Sequence, residues 1–345
     1  MSVHTMGSDM TLSEMVRRED PDGSLAPLID VISKENPILL DAKVTECNQG
    51  TSHKATRVAT KPSGAERGYN SGIATEAGVT ETHIEPTCML DGLSEIDNAL
   101  LKHSPDMLAA RLQEDQLFLS GMEDTRSNRL FNDDSGSVTV GNRGIYPLRI
   151  NGFPFRADYN TLSSAHVFDN ANGNASVTAN KMSIWLVQWG AHKVNLTFPR
   201  NDAFAGGEFG VKMEDFGKKI ITDDAGKKYP AWRTWFETHF GLFIWDPRCV
   251  KRIVNISNTS IDGVDDFSFN EDFLIKAYMS MKYQRQGITI YAPESVLTQM
   301  WIRGKDKSNT NFRNDKDQFG QMVTFFNNAP IRQLDALGTT EATIT

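Results

Sequence analysis

Cys47, His53, His83 and Cys88 are the donor types that hold zinc. Thiolate and imidazole ligands each sit about 2 Å from such an ion, so all four would have to converge on one point. Cys47 and His53 lie in a stretch without helical period, and an extended strand separates two such residues by about 20 Å. The spacing therefore excludes a shared coordination sphere. Gly206-Gly207-Glu208-Phe209-Gly210 is rich in glycine, as phosphate-cradling loops are, but no Lys-Ser or Lys-Thr follows and an acid stands where phosphate would lie. It reads as a surface loop. Asp265-Asp266 has the form of a carboxylate pair for proton transfer, yet no His or Lys accompanies it, and the pair reads as a solvated turn. There is no Gly-x-Ser-x-Gly elbow and no Cys beside a His at a helix start. The expectation is a chain without catalytic, cofactor or metal residues, and so not an enzyme.

The elements that would have to position such groups are unusual. Lys43 to Leu90 reads as an extended polar hairpin with its apex at Gly64-Ala65-Glu66-Arg67-Gly68 and no helical periodicity on either side. Arms of about 18 residues at roughly 3.3 Å each would reach on the order of 50 to 60 Å, beyond the radius of a domain this size. The outgoing arm carries Lys43, Lys54, Arg57 and Lys61 against Glu46, and the return arm carries Glu76, Glu81 and Glu85. The arms are electrostatic complements. A fold-back symmetric about the apex predicts Lys54 opposite Glu81 and Cys47 opposite Cys88. Composition alone would also suit a disordered linker. Against that, Val44, Val58, Tyr69, Ile73, Val79 and Ile84 recur at intervals suited to a half-buried ribbon. An isolated two-stranded ribbon is marginal in water, so its order has to come from neighbours. The residues expected to make those contacts are Glu66, Arg67 and Tyr69 at the tip, with Arg57 and Lys61 on the basic arm.

Before the hairpin lies an N-terminal arm with weak helical signals at Leu12 to Arg18 and Leu25 to Ser33, broken by Pro21-Asp22-Gly23. After it, Ser94-Glu95-Ile96-Asp97 has the pattern of a capping box, predicting a short helix that ends near His103. A second helix is predicted with Ser104 as cap and Pro105 at its first position. On it Leu108, Leu112, Leu119 and Met122 make one apolar stripe, and a run to Phe131 would span roughly 40 Å. Asn132 to Gly144 reads as a domain crossing. Beyond it, Ser183 to Trp189 and Lys193 to Phe198 read as strands, with Trp185 and Trp189 as core residues. Ile220 to Tyr229 reads as a hairpin turning at Asp223-Asp224-Ala225-Gly226. Gly241 to Ile256 reads as two strands around Asp246-Pro247-Arg248. Asn270 caps a predicted helix with Phe273, Ala277 and Met281 on one face, Arg285 late and Gly287 as its stop. A strand over Ile288 to Ala292 and a helix over Pro293 to Arg303 follow. The class is α+β.

Composition bounds the rest: 345 residues with 39% hydrophobic and 23% charged suit two or three globular domains. A net charge of -8 and a pI near 5.4 exclude a chain whose main task is gripping phosphates, which needs a clustered basic face. No apolar run approaches the roughly 18 residues of a membrane span, and no secretion signal opens the chain. Three widely spaced cysteines suit a reducing compartment.

The order of arm, Gly/Arg-tipped hairpin, long helix and α/β lobe resembles the major capsid proteins of tailed bacteriophages, the Hong Kong 97-type shell fold. Ile221-Thr222-Asp223-Asp224-Ala225-Gly226, Gly241-Leu242-Phe243-Ile244-Trp245-Asp246-Pro247-Arg248 and Arg252-Ile253-Val254-Asn255-Ile256 are similar to the branch found in some short-tailed phages. So are Ile290-Tyr291-Ala292 and the ending Phe325-Phe326-Asn327-Asn328-Ala329-Pro330-Ile331-Arg332-Gln333-Leu334-Asp335-Ala336.

The resemblance implies a shell subunit that makes hexamers and pentamers around double-stranded DNA, located in the virion capsid and assembled in the host cytoplasm. It implies an N-terminal arm over 1–39 and an E-loop over 40–90. A peripheral (P) domain with its spine helix would take 91–139, 231–262 and 318–345, and an axial (A) domain 140–230 and 263–317. Partners would be further copies and, with them, scaffolding, portal and decoration proteins; no cofactor and no membrane is implied. No long charged segment precedes the arm, so the expectation is a separate scaffold or none. Some relatives lock their shells by an autocatalytic bond between a hairpin Lys and an Asn of a neighbour. Here Lys54, Lys61 and Asn327-Asn328 are of the right types, but nothing in the sequence places them together. Mild acidity suits a lining along which packaged duplex slides. Two rivals stand beside this reading. A bacterial nanocompartment shell would carry a cargo-peptide groove, and an oligomeric hydrolase would show a clustered His and carboxylate set.

Overall fold

The computed structural model describes residues 15, 37–104, 106–131, 150–173, 180–200, 210–222, 226–258, 267–304, 312–316 and 322–345. Predictions for Pro105, for the crossing at 132–144, for 206–209 of the glycine-rich loop, for 223–225 of the turn and for Asp265-Asp266 lie outside them. The two N-terminal helical signals do too, apart from Met15, which is helical and buried against Ile96, Leu100, Leu101 and Ala110.

The helices are α1 (Ile38–Asp41), α2 (Asn98–Leu101), α3 (Met107–Phe131), α4 (Glu271–Ser280) and α5 (Glu294–Gly304). The strands are β1 (Val44–Glu46), β2 (Ser52–Thr60), β3 (Val79–Pro86), β4 (Cys88–Asp97), β5 (Val167–Asp169), β6 (Lys181–Gln188) and β7 (Val194–Phe198). They continue with β8 (Val211–Thr222), β9 (Lys228–Ile244), β10 (Val250–Ser257), β11 (Ile288–Ala292), β12 (Phe312–Lys316), β13 (Met322–Phe326) and β14 (Ala329–Gln333).

A seven-stranded sheet in the order β12-β13-β14-β11-β6-β10-β5 forms one lobe. Its interior strand β6 is buried throughout because both faces are covered, which is why Ile184 to Val187 reads as a continuous apolar run. Trp185 and Val187 enter one core with Phe131, Phe153, Tyr291 and Leu334. Ile184 and Leu186 enter the other, roofed by Leu274 and Ala277 of α4 and by Val296 and Met300 of α5. Both tryptophans are core residues, as the sequence predicts. The second sheet is organised by β9, a 17-residue strand. Its first half pairs with β4 on one side and β8 on the other, and its last residues pair with β7, which is flanked by β1. Helix α3 lies on one face of this sheet: Phe118 stacks on Phe236 at 5.6 Å, and Gly92 leaves room for Phe118 and Met122. A Cβ at Gly92 would meet both at 3.3 Å.

Strands β2 and β3 pair only with each other, so the ribbon predicted from the charge pattern is present. Its register is not the predicted one. Lys54 lies opposite Ile84, and Glu81 lies opposite Arg57. The root sets this pairing: Thr87 N donates to Thr51 O, and His53 and Ala55 must face the body. An odd slip would turn them to solvent. The fold-back axis consequently falls near Tyr69-Asn70, with Asn70 at a φ of 61°, rather than at Gly64–Gly68. Cys47 and Cys88 do not face each other either, since Cys47 N donates to Phe198 O and Cys88 pairs with Phe240.

Three helix predictions shift for local reasons. Ser94 to Asp97 close the ten-pair ladder of β4 with β9, so Asp97 and not Ser94 caps α2, accepting from Ala99 N. Asp106, whose carboxylate takes Leu108 N and Ala109 N, caps α3 in place of Ser104. Helix α4 stops at Ser280, well before Gly287, because Met281 is extended and its N–H returns to Tyr278 O; the buried face is Leu274, Ala277 and Tyr278. The α3 stripe also differs. Met122 is buried, but Leu108 and Leu112 are 64% and 49% exposed. Polar residues take the sheet-facing side instead: Arg111 bonds Asp215 at 2.8 Å and lies over the Trp232 ring at 4.7 Å, and Asp115 is buried nearby.

Candidate assembly surface

The ribbon is held at its root and presented at its tip. At the root, His53 packs edge-on against Phe243 at 4.6 Å and Trp245 at 5.3 Å, and His83 lies 5.5 Å from Phe243. These rings pack there because His53, Ala55 and His83 share the body-facing side of the ribbon and β9 ends in Phe243 and Ile244 beneath them. Burial lowers the His53 pKa from its ordinary 6.5, against an upward pull from the Glu46 backbone, so the ring is held neutral. Beside it, Glu85 accepts from Arg156 at 2.5 Å and pairs with His83 at 2.8 Å. Burial alone would raise the Glu85 pKa, but His83 and Arg156 together bring it below its usual value. Arg156 also donates to the carbonyls of Asn151 and Leu242, and Arg57 donates to Ile244 O. A cavity of about 260 Å³, lined by Arg57, His83, Arg156, Asp158 and Pro247, marks this polar seam.

Among the predicted contact residues, Arg57 therefore belongs to the root, where its guanidinium serves its own chain. Lys61, Glu66, Arg67 and Tyr69 lie beyond the paired strands and are exposed, Tyr69 completely. The Glu76 carboxylate accepts from Ser63 N and Gly64 N, so the two sides of the distal loop remain tied after the strands end. The outward face of the ribbon carries Lys54, Thr56, Val58, Thr80, Thr82 and Ile84, and on it Val58 and Ile84 are apolar yet more than half exposed. Sequence reasoning missed two features. The leucines of α3 read only as one apolar stripe, and their exposure was not legible because periodicity alone does not say which side of a stripe is covered. The Asp91–Glu237 pair is visible only once β4 and β9 are placed in register.

Burial pushes the thiols of Cys47, Cys88 and Cys249 up to about 11, 12 and 12, which makes them inert. Among the described residues no group of three or more His, Cys, Asp or Glu is placed to hold a metal, and no helix is long and apolar enough to cross a membrane. Lys54 and Lys61 belong to the ribbon region, and Asn327-Asn328 form the turn between β13 and β14 in the other sheet.

The family described as major capsid protein GP7 matches residues 20–345. Among solved structures, one of bacteriophage Epsilon15 superposes with a TM-score of 0.73 at 24% identity, covering 99% of each chain. It shares the fold. The bacteriophage JBD30 capsid gives 0.46 at 8% identity over 90% of this chain and 93% of its own. An encapsulin complex from Synechococcus elongatus gives 0.40 at 8% identity over 66% and 89%. No curated protein sequence matches the chain.

Proposed function

The chain belongs to the major capsid protein GP7 family and has the Hong Kong 97-like fold of phage capsid proteins, and from that premise we propose that it assembles into hexamers and pentamers of an icosahedral shell around double-stranded DNA. Its work is structural and not catalytic. The observation that carries this reading is the ribbon, docked by a buried aromatic and ionic root yet presenting Tyr69 fully to solvent. A two-stranded ribbon of this length is not stable for its own sake, so it has to lie on another subunit. In this reading 40–90 is the E-loop and α3 the spine helix of a peripheral domain over 91–139, 231–262 and 318–345. The arm takes 1–39 and the axial domain 140–230 and 263–317, although β10 and β14 of the peripheral segments pair with β6 and β11 of the axial ones, so the two share the seven-stranded sheet.

Each contact is small, and the shell holds because many act together. Lys61, Glu66, Arg67 and Tyr69 meet a neighbour, while Arg57 stiffens the root behind them. The net charge of -8 keeps the lining from clutching the packaged duplex. Assembly takes place in the host cytoplasm and draws on scaffolding, portal and decoration proteins where the virus supplies them. Electron microscopy of the purified protein tests the reading. Closed shells some hundreds of ångströms across are expected, and a small discrete oligomer would overturn it.

A further inference from the structure

Three turns meet at one end of the seven-stranded sheet: 189–193 between β6 and β7, 245–249 between β9 and β10, and 281–287 between α4 and β11. They are bolted together. Gln286 O accepts from Gln188 Nε2 at 2.7 Å and from Lys193 Nζ at 2.9 Å, Trp245 N donates to Lys193 O at 2.8 Å, and the Tyr283 hydroxyl donates to Asp246 Oδ2 at 3.0 Å. Within this frame His192, Tyr283 and Arg285 have φ of 58°, 52° and 57°. Every other described residue with positive φ is Gly or Asn, which accept that conformation readily, whereas a bulky side chain there is an outlier. Such strain persists only where the surroundings impose it, and it gathers where side chains are held out for a ligand.

What is held out here is positive charge. Lys282 and His192 are exposed, with Lys193 and Arg285 half-buried beside them. Behind them lies Lys251, a buried ammonium held by Ala165 O at 3.1 Å and His166 Nδ1 at 2.8 Å. Burial, and next the charge of Lys282, lower the Lys251 pKa, so the two cations act on each other. Of the described carboxylates close by, Asp158 acts on His166, and Asp246 is covered by its own partners. Arg248 forks onto both Asp246 oxygens at 2.6 to 3.1 Å, and Tyr283 caps one of them.

We propose that this end of the sheet is a contact for the phosphodiester backbone of duplex DNA, with the ammoniums of Lys193 and Lys282 and the guanidinium of Arg285 as its cations. The inference rests on the shell reading, which makes duplex DNA the polyanion at hand, and adds the surface that touches it. Three cations per subunit give a brief contact, so the acidic remainder of the chain still keeps the duplex from being clutched. A protein carboxylate fits less well. The Arg248 fork that would suit one is taken by Asp246, and Arg285 lies over the Tyr278 ring at 5.9 Å. The free ammoniums are point charges, which suit phosphate oxygens approached from any side.

The test measures binding of the full chain to a short fluorescent duplex across a salt series. With three phosphates neutralised, log K should fall against log salt with a slope of about -2.7. Lys193→Gln with Lys282→Gln is expected to weaken binding by about tenfold or more at low salt and to shrink that slope by about two, whatever the duplex sequence. Thermal melting guards against misfolding, and Lys282→Gln alone, on an exposed side chain, should still shrink the slope by about one. The same charge loss on the exposed β8 pair, Lys218→Gln with Lys219→Gln, is expected to leave the affinity within about twofold of the parent. A parent that does not bind duplex, or a β8 control that loses as much as the double variant, would overturn the proposal. So would a double variant that binds as the parent does, and fewer closed particles from it would then assign the patch to carboxylates of another subunit. A parent that binds duplex but makes no closed particles would sink the shell reading alone.

Discussion

The Tyr291 hydroxyl donates to Asp41 Oδ2 across 3.1 Å, joining residues 250 positions apart. Trp189 Nε1 donates to the same hydroxyl at 2.9 Å, and Arg332 holds the other Asp41 oxygen at 3.3 Å. This chain of bonds ties α1, which leads into the ribbon root, to the centre of the seven-stranded sheet. Tyr291→Phe strands the buried Trp189 N–H and is expected to lower stability by about 2 kcal/mol. Urea unfolding followed by tryptophan emission measures it, and a loss below about 0.5 kcal/mol would show the network to be incidental.

Arg252 is buried and stacks on Trp185 at 4.7 Å, with Glu341 at 2.9 Å as its ionic partner. Its remaining donors go to Ser183 Oγ and Tyr159 O. Glu341→Ala leaves a charge in the interior without its counterion, expected to cost about 3 kcal/mol or more. Replacing both partners, as Arg252→Met with Glu341→Leu, should recover much of that loss. A double variant as unstable as the single one would mean that the packing of the segment around Glu341, and not its charge, holds it down.

His53 predicts a pH response. Its folded pKa lies below the unfolded 6.5, so its contribution is fully present above 6.5 and is lost as pH falls below that value toward the folded pKa. Glu85 adds to this at lower pH: its folded pKa is depressed below 4.5, so its contribution is lost as pH falls below about 4.5. Stability of the parent should therefore decline first on crossing about pH 6.5, and His53→Phe should flatten that first limb. Hydrogen exchange of Ala55 and Thr56 would localise the effect; an unchanged limb in His53→Phe would assign it to another group, such as His166, whose pKa burial also lowers.

Gly241 sits where the ribbon root crosses β7 and β9. A Cβ there would lie 2.5 Å from Thr197 Oγ1 and 2.9 Å from Thr87 Cγ2. Gly241→Ala is expected to cost about 1 to 3 kcal/mol by overpacking and to loosen the ribbon relative to the body. Limited proteolysis should then cut between residues 61 and 78 faster than in the parent.

Leu108→Gln with Leu112→Gln separates subunit from shell. Both side chains are largely exposed, so the melting of the isolated subunit should change little, within about 0.5 kcal/mol. Particle yield should fall all the same, because an apolar stripe of this kind is uncovered only until assembly. Unchanged yield would mean the stripe faces solvent in the shell as well.

Much of this architecture was legible in residue types. The ribbon was readable from its split charges, α3 from its length of apolar period, β6 from its apolar run, β10 from the turn at Asp246-Pro247-Arg248 that precedes it, and the tryptophans from their setting. What was not legible depended on long-range pairing. Ser94 to Asp97 carries a helix-start signature, yet ten rungs with β9 outweigh one capping box. The ribbon register was set at Thr51 and Thr87, residues without pattern, and not by Gly64 and Gly68. The Asp91–Glu237 pair spans two strands far apart in sequence, and no local signal announces it.

Both cores are completed late in the chain. Leu334, Ala336 and Leu337 fill one, and Phe326 and Ile331 fill the other. A nascent chain therefore exposes both unfinished cores until translation has passed residue 337. Strands β6, β10 and β11 are thus made well before the residues that seal them, so neither core can close while the chain is only partly synthesised.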